Sequence, residues 1–519
     1  MFKFTLQTCV IFMVVTIVAG TFISAYKHII FRKEHTTYEI KLTERHDLST
    51  EERQIVKKIT MPATDFTKTE KFERMQGGET TSVREISRNS FSHPSSNLTF
   101  EEEQDFKLGN ALFRKIWVSS PSSTHASDGL GPLFNARSCQ GCHIKDGRGH
   151  PPDYKGDTLS MLLRLSRSLH TGYDKLRWGA YTSALLPDPV YGVQLQDRAV
   201  PGMKAEGQVK VVYKTHIVKL SDNSEVVLRK PVYSIENLSY GSLHDDTVVS
   251  ARVANQMIGL GLIEAIHPVD IIANADPYDE NDDGISGRVS IISDSASREI
   301  GRFGWKAQNA TVRSQSATAF SVDIGISTPD ATSNVGDCTE YQRECILSPN
   351  GAQESMGGTE ASDSVLELVT FYAMNLAVPE RRNINDEDVL RGKKLFYDTG
   401  CTSCHVPKFV TRKDTTHKAQ AFQLIWPYSD FLLHDMGEGL ADGEDSIDII
   451  NREWRTPPLW GIGLTSHVSD HTFFLHDGRA RNLTEAILWH GGEASSSQQQ
   501  FRELGADDRM AIIRFLESL

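Results

Sequence analysis

Two short motifs carry the chemistry of this 519-residue chain. They are Cys139-Gln140-Gly141-Cys142-His143 and Cys401-Thr402-Ser403-Cys404-His405, two copies of Cys-x-x-Cys-His. That spacing is the attachment signature of c-type haem: two thiols bond the porphyrin vinyl groups and the adjacent imidazole binds the iron. Cys139, Cys142, Cys401 and Cys404 are then the anchors of two covalent haems, with His143 and His405 as proximal ligands. A zinc site would need two further ligands at each motif, and a bare pair of thiols could oxidise. The adjacent histidine in both copies favours haem.

The elements that must position these motifs repeat as well. Thr99 followed by Glu101, Glu102 and Glu103 marks a helix start. Phe106, Leu108, Leu112 and Phe113 then fall near one helical face ahead of the first motif. Asn385-Asp386-Glu387-Asp388 begins a second such helix through Val389, Leu390, Gly392, Leu395 and Phe396, and the second motif follows at once. The first cysteines of the two motifs lie 262 residues apart, far more than the ~100 residues of a small domain, so the first half must carry insertions. One reads as β: Gln208–Leu220 and Val226–Ile235 are β-branched runs around the turn cluster Ser221-Asp222-Asn223-Ser224. A last helix is expected over Ala506–Leu519. The fold expected is mainly α: two cytochrome-c-like haem domains, 91–380 and 381–519, with long loops and a small β-hairpin insertion in the first.

Residues 4–26 carry no charge, Lys3 precedes them and Lys27, Arg32 and Lys33 follow. Residues 1–25 read as a secretory signal or a retained membrane anchor, and the polar stretch 26–90 as a lead or linker. Either way the bulk of the chain is exported; in a bacterium that means the periplasm, soluble or tethered. There Cys338 and Cys345 are expected to form a disulfide, the alternative being two buried thiols. Lys and Arg total 55 against 68 Asp and Glu, a net charge of −13. That disfavours nucleic acid and suggests that a protein docking electrostatically would be basic.

Several further motifs carry a family resemblance. Arg455-Thr456-Pro457-Pro458-Leu459-Trp460-Gly461, Phe474-Leu475-His476-Asp477-Gly478-Arg479 and Leu483–Gly491 resemble the C-terminal half of bacterial di-haem cytochrome c peroxidases. Gly129–Ser138, Asp146-Gly147-Arg148-Gly149 and Leu433-His434-Asp435-Met436-Gly437 are similar to hallmarks of a related family, the di-haem oxidoreductases labelled putative peroxidase or thiol oxidoreductase. The resemblance covers roughly residues 75–519. It implies His490 as second axial ligand of the second haem, where the peroxidases carry methionine, with Met436 as the alternative. Phe303-Gly304-Trp305, Gln315 and Ser321-Val322-Asp323 echo the region that holds a bridging tryptophan and a distal carboxylate. On that likeness Trp305 passes electrons between haems and Asp323 is the catalytic acid–base group; the plainer readings are a core aromatic and a turn residue. His150 is a candidate distal group for the first haem.

The loop Asp276–Gly287 resembles the start of an EF-hand. Asp279, Asn281 and Asp283 and the Ile285 carbonyl fall at ligand positions, but position twelve is Ser290 rather than Glu. Calcium and a solvated loop of Asx turns are both open. The function implied is a peroxidase-like oxidoreductase. It would take electrons from a small donor cytochrome or copper protein at the second haem and reduce peroxide at the first. The alternatives are a pure electron relay or an enzyme that uses oxygen or modifies a protein. Little in the cysteine pattern supports thiol oxidation.

Overall fold

A computed structural model describes residues 44–152, 158–167, 186–293, 298–444 and 451–519. The expected leader or anchor, residues 1–25, lies outside them. Among the described residues no helix is long and apolar enough to cross a membrane. The helices that matter for the site are α1 (Thr50–Thr60), α2 (Phe100–Phe113), α3 (Val312–Ala319), α4 (Asp363–Met374), α5 (Glu387–Asp398), α6 (Leu483–Leu488) and α7 (Ala506–Ser518). The strands are β1 (Met161–Arg167), β2 (Gln208–Lys219), β3 (Glu225–Glu236), β4 (Thr247–Val253), β5 (Leu433–Asp435) and β6 (Glu453–Arg455).

The helices begin where their first residues dictate. Thr99 and Glu102 exchange a side-chain and a backbone hydrogen bond, a capping box that starts α2. Asp386 accepts from the Asp388 and Val389 amides and starts α5. Each helix then crosses a later one at a glycine. A Cβ on Gly109 of α2 would overlap the Leu368 carbonyl of α4, and one on Gly392 of α5 would overlap the Ala511 carbonyl of α7. Four residues on, Phe113 packs 5.1 Å from Tyr372 and 6.3 Å from His143. Phe396 likewise lies 5.2 Å from Phe515 and 6.1 Å from His405. The repeat legible in the sequence is thus a repeat of glycine-spaced helix crossings, each setting a phenylalanine against a motif histidine.

The mainly α expectation of two cytochrome-c-like domains is overturned. The protein is mixed α/β, with many short sheets and no all-helical domain of that kind among the described residues. Strand β1 pairs antiparallel with β4 from Met161↔Val253 to Arg167↔Thr247. Leu163, Leu165, Ala251 and Val253 face the core from this ribbon. Strands β2 and β3 form the hairpin, in register from Gln208↔Glu236 to Lys219↔Glu225, and β5 pairs with β6. The stretches read as long loops run through the interior, where unpaired backbone amides and carbonyls are costly; pairing two strands at a time satisfies them. Residues Glu44–Leu519 cluster as one unit.

The polar lead is also corrected, from residue 44 onward. Ser49 and Glu52 form a capping box at the start of α1. Arg45 is buried between Asp47 at 2.8 Å and Asp270 at 2.6 Å. Glu73 is buried against Arg381 and lies 2.9 Å from Lys393. The charge that reads as solvated lead is spent on ion pairs with residues hundreds of positions away.

Candidate functional site

The first motif forms a single helical turn, Cys139–Cys142, and the His143 amide bonds back to the Cys139 carbonyl. His143 Nδ1 lies 2.7 Å from the Asn255 carbonyl. A carbonyl only accepts, so Nδ1 carries the proton and Nε2 keeps its lone pair. Burial pushes this imidazole down to about 4, which keeps it neutral. A neutral ring oriented through its other nitrogen is the arrangement metal-binding histidines take.

Cys139, Cys142 and His143 line a cavity of about 460 Å³ together with Arg148, Trp305 and Asp323. That is the size range of small-molecule sites. Asp323 lies in the helical run Phe320–Ile324 that follows α3, and its carbonyl accepts from the Asn135 and Ala136 amides, tying the loop before the motif to it. Its Oδ1 accepts from Gln194 Nε2 at 2.8 Å. Burial pushes the Asp323 carboxyl up. Trp305 donates from Nε1 to the Val253 carbonyl at 2.8 Å. Its ring lies 6.5 Å from His476, which stacks on Trp454 at 3.7 Å. Among the described residues lining the cavity His143 is the sole histidine; His150 instead packs edge-on to His471 at 5.3 Å.

The second motif repeats the arrangement. His405 Nδ1 lies 2.8 Å from the Tyr428 carbonyl and His490 Nδ1 lies 2.8 Å from the Ala486 carbonyl. Burial lowers both, His405 to about 4, and His490 is near enough that its charge adds to the shift on His405. The structure therefore brings together the two imidazoles that the sequence separates by 85 positions. Met436, the alternative, packs partly buried against the same core.

Three residues quoted in the motifs, but given no role by sequence reasoning, stand at these sites. His434 is held between Asp430 at 2.8 Å and Glu493 at 2.6 Å, and lies 3.6 Å from Cys404 Sγ. Burial alone would lower its pKa; the two carboxylates reverse this and hold it well above the ordinary histidine value. The donor atoms of Cys404, Asp430 and His434 lie within 4.8 Å of one another. With both ring nitrogens bonded to carboxylates, though, His434 has no lone pair for a metal. Arg148 and Arg455 were visible in the hallmark motifs, but not their condition. Both line the first cavity, and burial pushes both down to about 10. Arg148 bonds the Leu475 carbonyl and leaves Nε without a partner among the described residues. Arg455 bonds the Gly304 and Thr456 carbonyls. Buried guanidiniums without a bonded carboxylate suit a ligand that brings its own, as the two propionates of haem do. Two anchoring thiols, one oriented imidazole and two carboxylate-seeking cations thus fit haem at the first cavity.

The acidic loop is exposed and bonded through its own side chains. Asp279 accepts from the Gly284 amide, Asn281 from that of Asp283, and Asp283 from that of Ile285. Ser286 bonds Glu493 through its amide at 3.0 Å and its hydroxyl at 2.9 Å, which ties the loop to His434. Cys338 and Cys345 are joined as a disulfide.

Two oriented motif histidines, repeated helix crossings and a haem-sized first cavity define a protein built for two haems. The chain belongs to the family described as di-haem oxidoreductase, putative peroxidase, which matches residues 71–519 and so includes every site residue above. No curated protein matches it. Among solved structures it is similar to the hydrazine synthase of Kuenenia stuttgartiensis, solved pressurized with 20 bar xenon, at 20% identity over 36% of this chain and 63% of that one. The TM-score is 0.21, and this likeness carries no argument.

Proposed function

We propose that the protein is an exported c-type di-haem oxidoreductase that reduces peroxide at the first site with electrons taken up at the second. The observation that carries this reading is the convergence of Cys139, Cys142, His143, Asp323 and Trp305 on one cavity. A haem bound there supplies an iron centre that can bind peroxide and accept electrons. The chain's own residues do the rest. Asp323 would take a proton from one peroxide oxygen and return it to the other as the O–O bond breaks; overall two electrons and two protons convert hydrogen peroxide to two waters. Burial raises its pKa toward the range where a group can both accept and donate a proton. Gln194 fixes the orientation of the carboxyl. Trp305 touches the first cavity and packs in the same core as Phe396 and Trp489 of the second site, which suits it to carry electrons between them. His405 and His490 would be the residues that hold the second haem's iron.

The Cys338–Cys345 bridge suits an oxidising compartment and supports export to the periplasm. The cofactor load is checked by intact-mass spectrometry of protein produced with a cytochrome c maturation system. The mass is expected to exceed the polypeptide's by two haems under denaturing conditions. One haem or none would remove this reading.

A further inference from the structure

We propose that the outer face of the β2–β3 hairpin is the docking surface for an acidic redox protein that delivers electrons to the second site; this rests on the reading that the second site takes electrons up. Lys210, Val212, Lys214 and His216 alternate along one face of β2. The register sets Val232 opposite Val212 and Lys230 opposite Lys214. Val212 is 53% exposed and Val232 41%, and Lys210, Lys214 and Lys230 are exposed around them. Lys210 pairs with Glu236. Lys214 and Lys230 face each other with no ion-pair partner among the described residues. Like charges directly opposite on a sheet are destabilising, so the fold does not explain this pair, least of all in a chain of net charge −13.

The row points at the second site. It ends at His216, whose ring lies 6.3 Å from that of Trp489, the neighbour of His490. Each two-residue step along a strand is about 7 Å, so Val212 and Lys214 stand one or two steps from that contact. The hairpin is strapped in place: Arg229 donates to the Gly478 and Arg479 carbonyls, and Arg481 donates to the Val227 carbonyl. A small apolar centre rimmed by unpaired lysines suits a brief encounter with a partner carrying carboxylates around an apolar patch. The net charge points to a basic partner; the local charge at this surface points to an acidic one. The step itself moves one electron from the donor's metal to the second iron, oxidising one and reducing the other, with no bond or proton changed.

The test uses the holoprotein, reduced acidic plastocyanin as the probe and a basic mitochondrial cytochrome c as its opposite. Affinity is read by calorimetry at low and high salt, and the rate of second-haem reduction by stopped flow. Wild type is expected to bind plastocyanin more tightly than the basic cytochrome, and less tightly as salt rises. Lys214→Glu with Lys230→Glu should weaken plastocyanin binding and slow reduction at least tenfold at low salt, while reduction by dithionite is unchanged. Val212→Ser should weaken both without altering the salt dependence. If the double variant binds plastocyanin as wild type does, if wild type prefers the basic cytochrome, or if neither probe binds, the docking surface is overturned. If plastocyanin binds through these lysines but dithionite finds no reducible second haem, the surface stands and the electron-uptake reading falls.

Discussion

Asp323→Asn is expected to lower peroxide turnover about 10²–10⁴-fold, the range a positioned acid–base group contributes. The substitution is nearly isosteric and removes the proton-accepting oxygen. The backbone bonds from Asn135 and Ala136 to residue 323 do not involve the side chain and should persist, so haem content and the His143 ligand should be unchanged. The pH profile gives a second readout. The ionised carboxylate is the proton acceptor, and burial raises its pKa. The wild-type kcat/KM should therefore fall as pH drops through a value above the ordinary aspartate range, and this acid limb should vanish in the variant. Trp305→Phe separates chemistry from wiring. It removes the Nε1 bond to Val253 and should slow electron transfer between the sites, while a pre-reduced first haem still reacts with peroxide at the wild-type rate. Full turnover in Asp323→Asn would show that this carboxylate is not the acid–base group.

His490→Met should keep the second haem low-spin and raise its reduction potential by a few tenths of a volt, well inside the ~0.8 V that axial ligands command. Thioether favours the ferrous state more than imidazole does. The geometry makes the substitution informative: His490 lies just past the end of α6, with Nδ1 fixed on the Ala486 carbonyl. Redox titration with optical detection measures the shift. A potential and spectrum equal to wild type would take His490 off the iron and bring Met436 forward.

What the sequence shows of this site is local. The two motifs, the glycine and phenylalanine of each preceding helix, the hairpin around Ser221–Ser224 and the Cys338–Cys345 bridge are all specified within about a dozen residues of themselves. What it hides is non-local. β1 and β4 pair across 80 to 92 positions, and neither strand announces its partner, so the fold reads as helical. Glu73, Arg381 and Lys393 are common surface residues in sequence and a buried ion-pair cluster in space. His434 stands four residues from Asp430 but 59 from Glu493, and only the second contact turns a histidine–carboxylate pair into a held imidazolium. Arg148 and Arg455 are legible as residues; that neither bonds a carboxylate among the described residues is legible only in the structure.

The central claim is that one site is closed by two histidines and the other is open to peroxide. It is tested most directly by the electron-spin-resonance spectrum of the half-reduced holoprotein, recorded before and after peroxide is added. The account predicts a first-site signal that changes on addition, with the His405–His490 site low-spin throughout. A first-site signal that is low-spin and that peroxide leaves unaltered would contradict it and make the protein an electron relay.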